Sequence, residues 1–588
     1  MQYSHYPIIN IAAICAQLGV HRAVISPGSR NAPLTIAFAR HPHIQSYSIS
    51  DERAASFIAL GMAQQSGKPV VLICTSGSAG LNYAPAVAEA YFSQIPLLLL
   101  TADRPPEWID QADGQTIRQR DMYGKHCKAA YELPADYTHP DSVWAIYRTV
   151  CEAIHTATAF PCGPVHINAP FREPFYPKSE HEIVFDEAIK FFSEERSLMQ
   201  LSKDSWQSIV EKVSKTAKVL LIAGQHRAEK SLIAALERLN FPLFGDIFSN
   251  MHTASNAVFR YEEGLQLTEK NLSAWQSPDL LITFGQSVIS KGLKNRLRKF
   301  PPREHWHIQE AGCVPDPFQS LTRIIRMSPT LFFQTLAEKL ASSSLSNVPL
   351  PNPDTPLFVS PQTTDKKHPF WLPFPPIDES ASDKQFEQLW ETAPLNEPAV
   401  VYQLMQALPQ GTTLHLANSM PVRYAQAVGL RNTQQVEVFC NRGTSGIDGC
   451  VSTAVGHALA SPNKLHVLLV GDVAFMYDRN ALWHNYALPN LRIIVLNNGG
   501  GGIFRIIDGP RGLPEIEEYF VTRQMLSARS AAENAGFAYL YTENKANFAE
   551  MLVQLLANTP QPVLLEIKTR QADNEYAWQL IQPRNRQV

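Results

Sequence analysis

At 588 residues the chain is long enough for several domains, and with 45% hydrophobic and 18% charged residues it has an ordinary globular composition. A formal net charge of −3 excludes general attraction to nucleic acid or to an anionic membrane surface, so anionic ligands would need local arginines. The eight cysteines, among them Cys15, Cys74, Cys127 and Cys313, show no CxxC or metal-ligand spacing, so buried free thiols are expected rather than a disulfide framework. The N-terminal stretch lacks a signal-peptide pattern, and no apolar run approaches the roughly 20 residues of a membrane helix. A cytoplasmic protein with no membrane insertion and no nucleic-acid partner is the expectation.

In chain order, "HRAVISPGSR", "IQSYSIS", "KPVVLICTSGS", "IPLLLLTADRP" and "GPVHINAP" each read as a strand running into a loop. Between them "ERAASFIALGMAQQSG" has helical spacing, with Gly67 as its C-cap. The middle third repeats the alternation in "AKVLLIAGQH", "FPLFGDI", "PDLLITFGQS" and "EHWHIQE". A stretch rich in Ser and Pro follows, with prolines at 349, 351, 353, 356 and 361, and reads as a mostly extended linker. The last third returns to "TTLHLANS", "VEVFCNRG", "LHVLLVGD", "LRIIVLNN" and "QPVLLEIK". Strand–helix alternation predicts three doubly wound α/β domains with mostly parallel sheets: 1–185, 200–345 and, after a linker at 346–390, 391–588. Ligands of such sheets bind at the carboxyl ends of strands.

Two of those ends carry hard oxygen donors. "LHVLLVGD" closes on Gly471 and Asp472, and "LRIIVLNN" closes on Asn497 and Asn498, 26 positions after Asp472. If the two strands are parallel neighbours, a carboxylate and an amide carbonyl project from one edge, a pair suited to Mg²⁺ completed by phosphate oxygens. The glycines that follow let backbone groups approach an anion closely. Arginines also follow strand ends: Arg30 after "SPGS", Arg104 in "ADRPP", Arg423 in "NSMPVR" and Arg442 in "CNRG". Guanidinium groups so placed suit bidentate carboxylate recognition.

The GD…NN pair resembles the signature of thiamine-diphosphate-dependent enzymes. The resemblance implies that Asp472, Asn498 and the carbonyl of Gly500 hold Mg²⁺ (or Mn²⁺), with Gly471 beside the diphosphate. It further implies that Glu52, in "SISDERAASFIALG", meets the aminopyrimidine of the cofactor from across a subunit interface and activates it. Ile447 in "NRGTSGIDG" would support the bent cofactor, and Ile503 and Phe504 would line the pocket. The blocks "SPGSRNAPLT", "TSGSAGLNYAPAVAEA", "LLTADRPPE", "QTIRQ" and "NRGTSGIDG" are similar to one branch of that family, the carboligases of menaquinone biosynthesis. That branch decarboxylates 2-oxoglutarate and adds the resulting succinyl-semialdehyde carbanion to isochorismate. By this resemblance Ser29, Arg30, Arg104, Gln115 and Lys291 serve isochorismate. Ser419, Arg423 and Arg442 would meet 2-oxoglutarate or the intermediate derived from it, and the resemblance implies a homodimer or a dimer of dimers.

The sequence departs from the family pattern at Gly114, where a polar asparagine is expected. It departs again at Gly292, in place of a second basic residue, where either Lys294 substitutes or Lys291 acts alone, and at Gly499, where a third asparagine often stands. Two other readings stay open: a thiamine enzyme of the acetolactate-synthase kind, and a non-catalytic homologue. The presence of Glu52, Asp472 and Asn498 argues against the second.

Overall fold

The computed structural model describes residues 5–178, 183–186, 188–268, 274–342, 371–375, 377–431, 433–507 and 509–582. Three parallel sheets follow one another along the chain. The first contains β1 (Arg22–Ile25), β2 (Gln45–Ser48), β3 (Val70–Cys74), β4 (Leu97–Asp103), β5 (Ala129–Glu132) and β6 (Pro164–Pro170), in the order β2-β1-β3-β4-β6-β5. The second contains β7 (Val219–Ala223), β8 (Leu243–Gly245), β9 (Leu280–Phe284), β10 (Glu304–Ile308) and β11 (Arg323–Ile325), in the order β11-β10-β9-β7-β8. The third contains β12 (Thr413–Leu416), β13 (Glu437–Phe439), β14 (His466–Gly471), β15 (Leu491–Asn497), β16 (Ala538–Thr542) and β17 (Val563–Lys568), in the order β13-β12-β14-β15-β17-β16. Every residue of β3, β4, β6, β9 and β15 is buried, which is why β3, Leu97–Leu100 of β4 and Ile493–Leu496 of β15 read as unbroken apolar runs instead of alternating.

Two helices seal the first sheet to the third. The helix Glu52–Ser66 starts at Asp51, whose side chain accepts from Ala54 N at 2.9 Å, and stops at Gly67 in the left-handed region (φ 69°). It lies against the helix Cys450–Ala460 at backbone contact. A Cβ on Gly61 would stand 2.2 Å from the Thr453 carbonyl oxygen, and one on Gly456 would stand 2.1 Å from that of Ile58. Around this seam Phe57, Ile58 and Leu60 share one apolar core with Val451, Val455, Leu468 and Phe475.

Of the stretch expected as a linker, residues 346–370 lie outside the described residues. Its end differs from the extended expectation: Glu379–Thr392 is helical, capped by Asp378, which accepts from Ala381 N at 3.1 Å. That segment carries good helix formers and buries Phe386 and Leu389, so packing outweighs the proline-rich context upstream. All eight cysteines are free as expected, but Cys313 is exposed and Cys127 and Cys162 are only half-buried. Among the described residues no helix is long and apolar enough to cross a membrane.

Candidate active site

β14 and β15 are parallel neighbours with Gly471 opposite Leu496, so Asp472 and Asn498 leave the same sheet edge side by side. Asp472 is buried. Its Oδ1 accepts from Val473 N and its Oδ2 from Gly499 N, both at 2.8 Å. Burial holds this carboxyl above its ordinary pKa, and the backbone N–H bonds oppose that rise. Gly499 has a φ of 81°, a left-handed backbone that Gly and Asn tolerate best, which accounts for glycine standing where a third asparagine was expected.

Asn498 is oriented by a group that the sequence did not single out. Its Nδ2 donates to Glu397 Oε1 at 2.8 Å, and its Oδ1 accepts from Gln571 Nε2 at 3.3 Å. Glu397 is only 1% exposed, and burial pushes its carboxyl up to about 7, with Asp472 adding to the rise. It opens the helix Glu397–Ala407 just after its cap Asn396, so in the sequence it passes for an ordinary first-turn acid favoured by the helix dipole.

The residues here fit a divalent cation. Gln571 Oε1 is buried next to Asn498 with no hydrogen-bond partner. Gly502 lies against the Asn498 amide: a Cβ there would make ordinary contact, 3.4 Å from Asn498 Nδ2 and 3.9 Å from its Oδ1. Carboxylate, amide and backbone carbonyl oxygens form the hard donor set such an ion prefers. The Gly500 carbonyl accepts from Gly502 N at 3.0 Å and keeps a second lone pair, while a Cβ on Gly500 would meet the Val521 carbonyl oxygen at 2.6 Å. Gly471 is the N-cap of the helix Asp472–Tyr477. Ile503 packs half-buried on the core of the third sheet, Phe504 lies 5.7 Å from the Phe520 ring, and Ile447 packs half-buried on the first core.

Beside this junction, Ser419 follows β12 with φ 73°, an uncommon backbone for a residue with a side chain. Its carbonyl accepts from Arg423 Nη1 at 2.5 Å. Arg442, after β13, donates from Nη1 to Asn418 Oδ1 at 2.8 Å and lies 5.7 Å from the Phe248 ring. Burial, then the neighbouring Arg442, lowers the pKa of Arg423. Lys294 is lowered by burial and also feels Asp246 and Arg442, while burial lifts the nearby Glu262 carboxyl to about 7. Lys291 is exposed at the first turn of the helix Lys291–Lys299, so Lys294 is the basic residue whose charge reaches Arg442.

The remaining candidates gather at the strand ends of the first sheet. Ser29 Oγ is 3.0 Å from the Tyr176 hydroxyl. Arg30 is buried, donates from Nη1 to the Phe171 carbonyl at 2.8 Å and sits 4.6 Å over the Phe175 ring. Arg104 pairs with Asp113 at 2.8 Å and donates to the Gly114 carbonyl at 2.6 Å, so position 114 acts through its backbone. Gln115 has a φ of 55° and lies over Gly77. Glu52 accepts from Asn82 Nδ2 at 3.3 Å. The residues on either side of it dock on the segment after β14: Asp51 accepts from Asn480 Nδ2 at 2.7 Å, and Arg53 donates to the Tyr477 carbonyl at 2.6 Å. Among the described residues no hydrogen bond or ion pair joins Glu52, Arg30 or Arg104 to Asp472, Asn498 or Arg442. The candidates thus fall mainly into two sets, one on the loops of the first sheet and one on the loops of the third.

Comparison with known proteins agrees with this division. Residues 10–122 match the model of the thiamine pyrophosphate enzyme N-terminal TPP binding domain, and residues 419–567 match that of the C-terminal TPP binding domain. The chain is 43% identical to a 2-succinyl-5-enolpyruvyl-6-hydroxy-3-cyclohexene-1-carboxylate synthase of Cytophaga hutchinsonii, with 96% of each chain covered. It is 38% identical to the synthase of the same name from Flavobacterium psychrophilum, covering 97% of each. It is 36% identical to that of Porphyromonas gingivalis, covering 95% of this chain and 93% of the relative.

Proposed function

Because the chain belongs to the 2-succinyl-5-enolpyruvyl-6-hydroxy-3-cyclohexene-1-carboxylate synthase family of thiamine-diphosphate enzymes, we propose that it joins 2-oxoglutarate to isochorismate with loss of CO₂. The observation that carries this reading is the edge formed by β12, β13, β14 and β15. There Asp472 and Asn498 leave the carboxyl ends of β14 and β15, and the segments that follow the neighbouring strands β12 and β13 carry Arg423 and Arg442, whose charges feel one another. Thiamine diphosphate, when bound, supplies the carbon nucleophile and the electron sink for decarboxylation.

The chain's own groups then have distinct tasks. Asp472, Asn498 and the Gly500 carbonyl would hold Mg²⁺ or Mn²⁺, and Glu397, by taking the Asn498 amide hydrogens, would leave the Asn498 carbonyl oxygen available as a ligand. Arg423 and Arg442 take the carboxylates of 2-oxoglutarate. Their partial burial strengthens these contacts, because the surrounding dielectric is low. The strained backbone of Ser419 aims its hydroxyl and amide at the same substrate. Arg30, Arg104, Gln115 and Ser29, joined by Lys291 or Lys294, bind isochorismate, whose carboxylates match forked donors. Glu52 would hold and return a proton at its carboxylate oxygen, activating the bound cofactor. Ile447, Ile503 and Phe504 exclude water from the reacting centre.

The two clusters complete one another in a homodimer, or a dimer of dimers, with Glu52 of one chain facing Asp472 of the next. The units 1–185 and 391–588 then act as the pyrimidine and diphosphate halves of the site, with 200–345 between them. To test the reading, the purified protein is supplied with Mg²⁺, thiamine diphosphate and both substrates. Isochorismate and 2-oxoglutarate should disappear together with CO₂ release. Turnover of pyruvate at equal rate with isochorismate untouched would assign the chain to the acetolactate-synthase kind.

A further inference from the structure

One buried acid is used by none of the roles above. Glu89, in the helix Ala84–Phe92 of the N-terminal sheet, is 1% exposed, yet its carboxylate is fully engaged. Oε1 accepts from Ser93 Oγ at 2.6 Å and from Gly443 N at 2.8 Å. Oε2 accepts from Thr444 N at 2.7 Å and from Thr444 Oγ1 at 2.8 Å. Both backbone donors lie in the loop after β13, immediately beyond Arg442. The loop is seated as closely as a main chain can be: a Cβ on Gly443 would stand 2.7 Å from the Glu89 carbonyl oxygen and 2.8 Å from Ser93 Oγ. Its other face is held by Asn418, whose Nδ2 donates to the carbonyls of Asn441 and Gly446, each at 2.7 Å. Asn418 Oδ1 takes the Arg442 guanidinium at 2.8 Å.

We infer that Glu89 is a positioning residue for Arg442: it reaches from the N-terminal sheet to clamp the arginine loop of the C-terminal sheet and so sets the guanidinium that receives the 2-oxo acid. The inference rests on the proposed function for the identity of that substrate. A carboxylate taken out of water is retained only where donors replace the solvent, and here two of its four donors belong to the loop backbone. Removing it takes the acceptor from the part-buried N–H groups of Gly443 and Thr444, so the loop shifts to regain partners, and Arg442 moves with it. Gly443 and Thr444 hold that geometry only while residue 89 accepts on both oxygens. Glutamine is therefore not equivalent, since its amide nitrogen would face an N–H.

The test uses the full-length enzyme with cofactor and Mg²⁺, and compares wild type, Glu89→Gln, Thr444→Val, Arg442→Ala and the double variant Glu89→Gln/Arg442→Ala. In Glu89→Gln, kcat/KM for 2-oxoglutarate should fall roughly 10- to 100-fold, mostly through KM, because misplacement by about 1 Å is enough for such a loss. KM for isochorismate should stay within about twofold of wild type, because no isochorismate group is displaced. Thr444→Val removes one hydroxyl donor and leaves the acid buried and bonded. It should show the same selective rise in KM at smaller size, and it carries the test if the Glu89 variant does not fold. Adding Glu89→Gln to Arg442→Ala should cost almost nothing further, since both act through one guanidinium. Equal losses for both substrates, an unchanged KM for 2-oxoglutarate, or additive losses in the double variant would overturn the inference alone. A wild-type enzyme that ignores both substrates would overturn the proposed function and the inference with it.

Discussion

In the first and third sheets alike the opening strand lies between the second and third, and the last two strands exchange places. The loops leaving equivalent strands nevertheless differ in chemistry. After the opening strands come Arg30 in one and Ser419 with Arg423 in the other. After the second strands the contrast is Glu52 against Arg442, and after the fourth it is Arg104 against Asn498 and its glycines. One scaffold thus presents an acid where its counterpart presents an arginine, and an arginine where its counterpart presents an amide followed by glycines. The shared strand order fixes where loops gather, and the residues in them decide what is bound. This complementarity is what a site built from one sheet of each kind requires.

The contrast is broken most sharply at the second strands. Glu52→Gln should slow exchange of the cofactor's reactive C–H proton by about 10²–10⁴-fold, followed by deuterium exchange in NMR, with the thermal midpoint unchanged because only one long hydrogen bond to Asn82 is altered. Unchanged exchange would remove Glu52 from the reaction. On the other sheet, Glu397→Ala should weaken Mg²⁺ binding measured by calorimetry about 10- to 100-fold, while Glu397→Gln, which can still accept from Asn498, should recover most of it. Equal affinity in both variants would show that Asn498 needs no partner.

A change at the seam between the sheets should be felt by both. Gly456→Ala places a Cβ 2.1 Å from the Ile58 carbonyl oxygen and should cost about 1–3 kcal/mol in denaturant unfolding. A silent substitution would mean that the two helices are free to separate. The gentlest probe is acid. His415, His457 and His466 are buried together, with ligand atoms within 4.8 Å of one another. Burial holds all three below their ordinary pKa, His466 at about 4. They are neutral in the folded state and protonate more readily once unfolded. Their contribution is therefore intact above about pH 6.5 and is lost as the pH falls toward about 4. His457 bonds Gln64 and Gln65 of the Glu52 helix at 3.0 and 2.8 Å, so hydrogen exchange within 52–66 and 450–460 should accelerate first on acidification. Uniform acceleration across the molecule would separate the cluster from the seam.

The sequence made most of this architecture legible through its buried strands. The apolar runs ahead of Gly471 and Asn497 became β14 and β15, and their pairing follows from the αβ alternation. The strands it concealed are β5, β11 and β16, each at the edge of its sheet. Edge strands such as "AAYE" are half-exposed, so they carry neither a continuous apolar run nor a turn signal of their own. In the site, motif residues announce themselves by unusual composition after a strand, as Asp472 and Arg442 do. Glu397 and Glu89 sit in ordinary helical context, and their importance arises from partners 101 and 354 positions away. No local pattern encodes such contacts.

The claim that two unlike sheets of different chains make one site is tested most directly by complementation. Glu52→Gln and Asp472→Ala, each inactive alone, would be co-expressed, and the purified mixture assayed for CO₂ release with both substrates. In a mixed dimer one site takes intact Glu52 from one chain and intact Asp472 from the other, so random pairing should restore roughly a quarter of wild-type activity. A mixture as inactive as its components would contradict the account and place both residues in a site within a single chain.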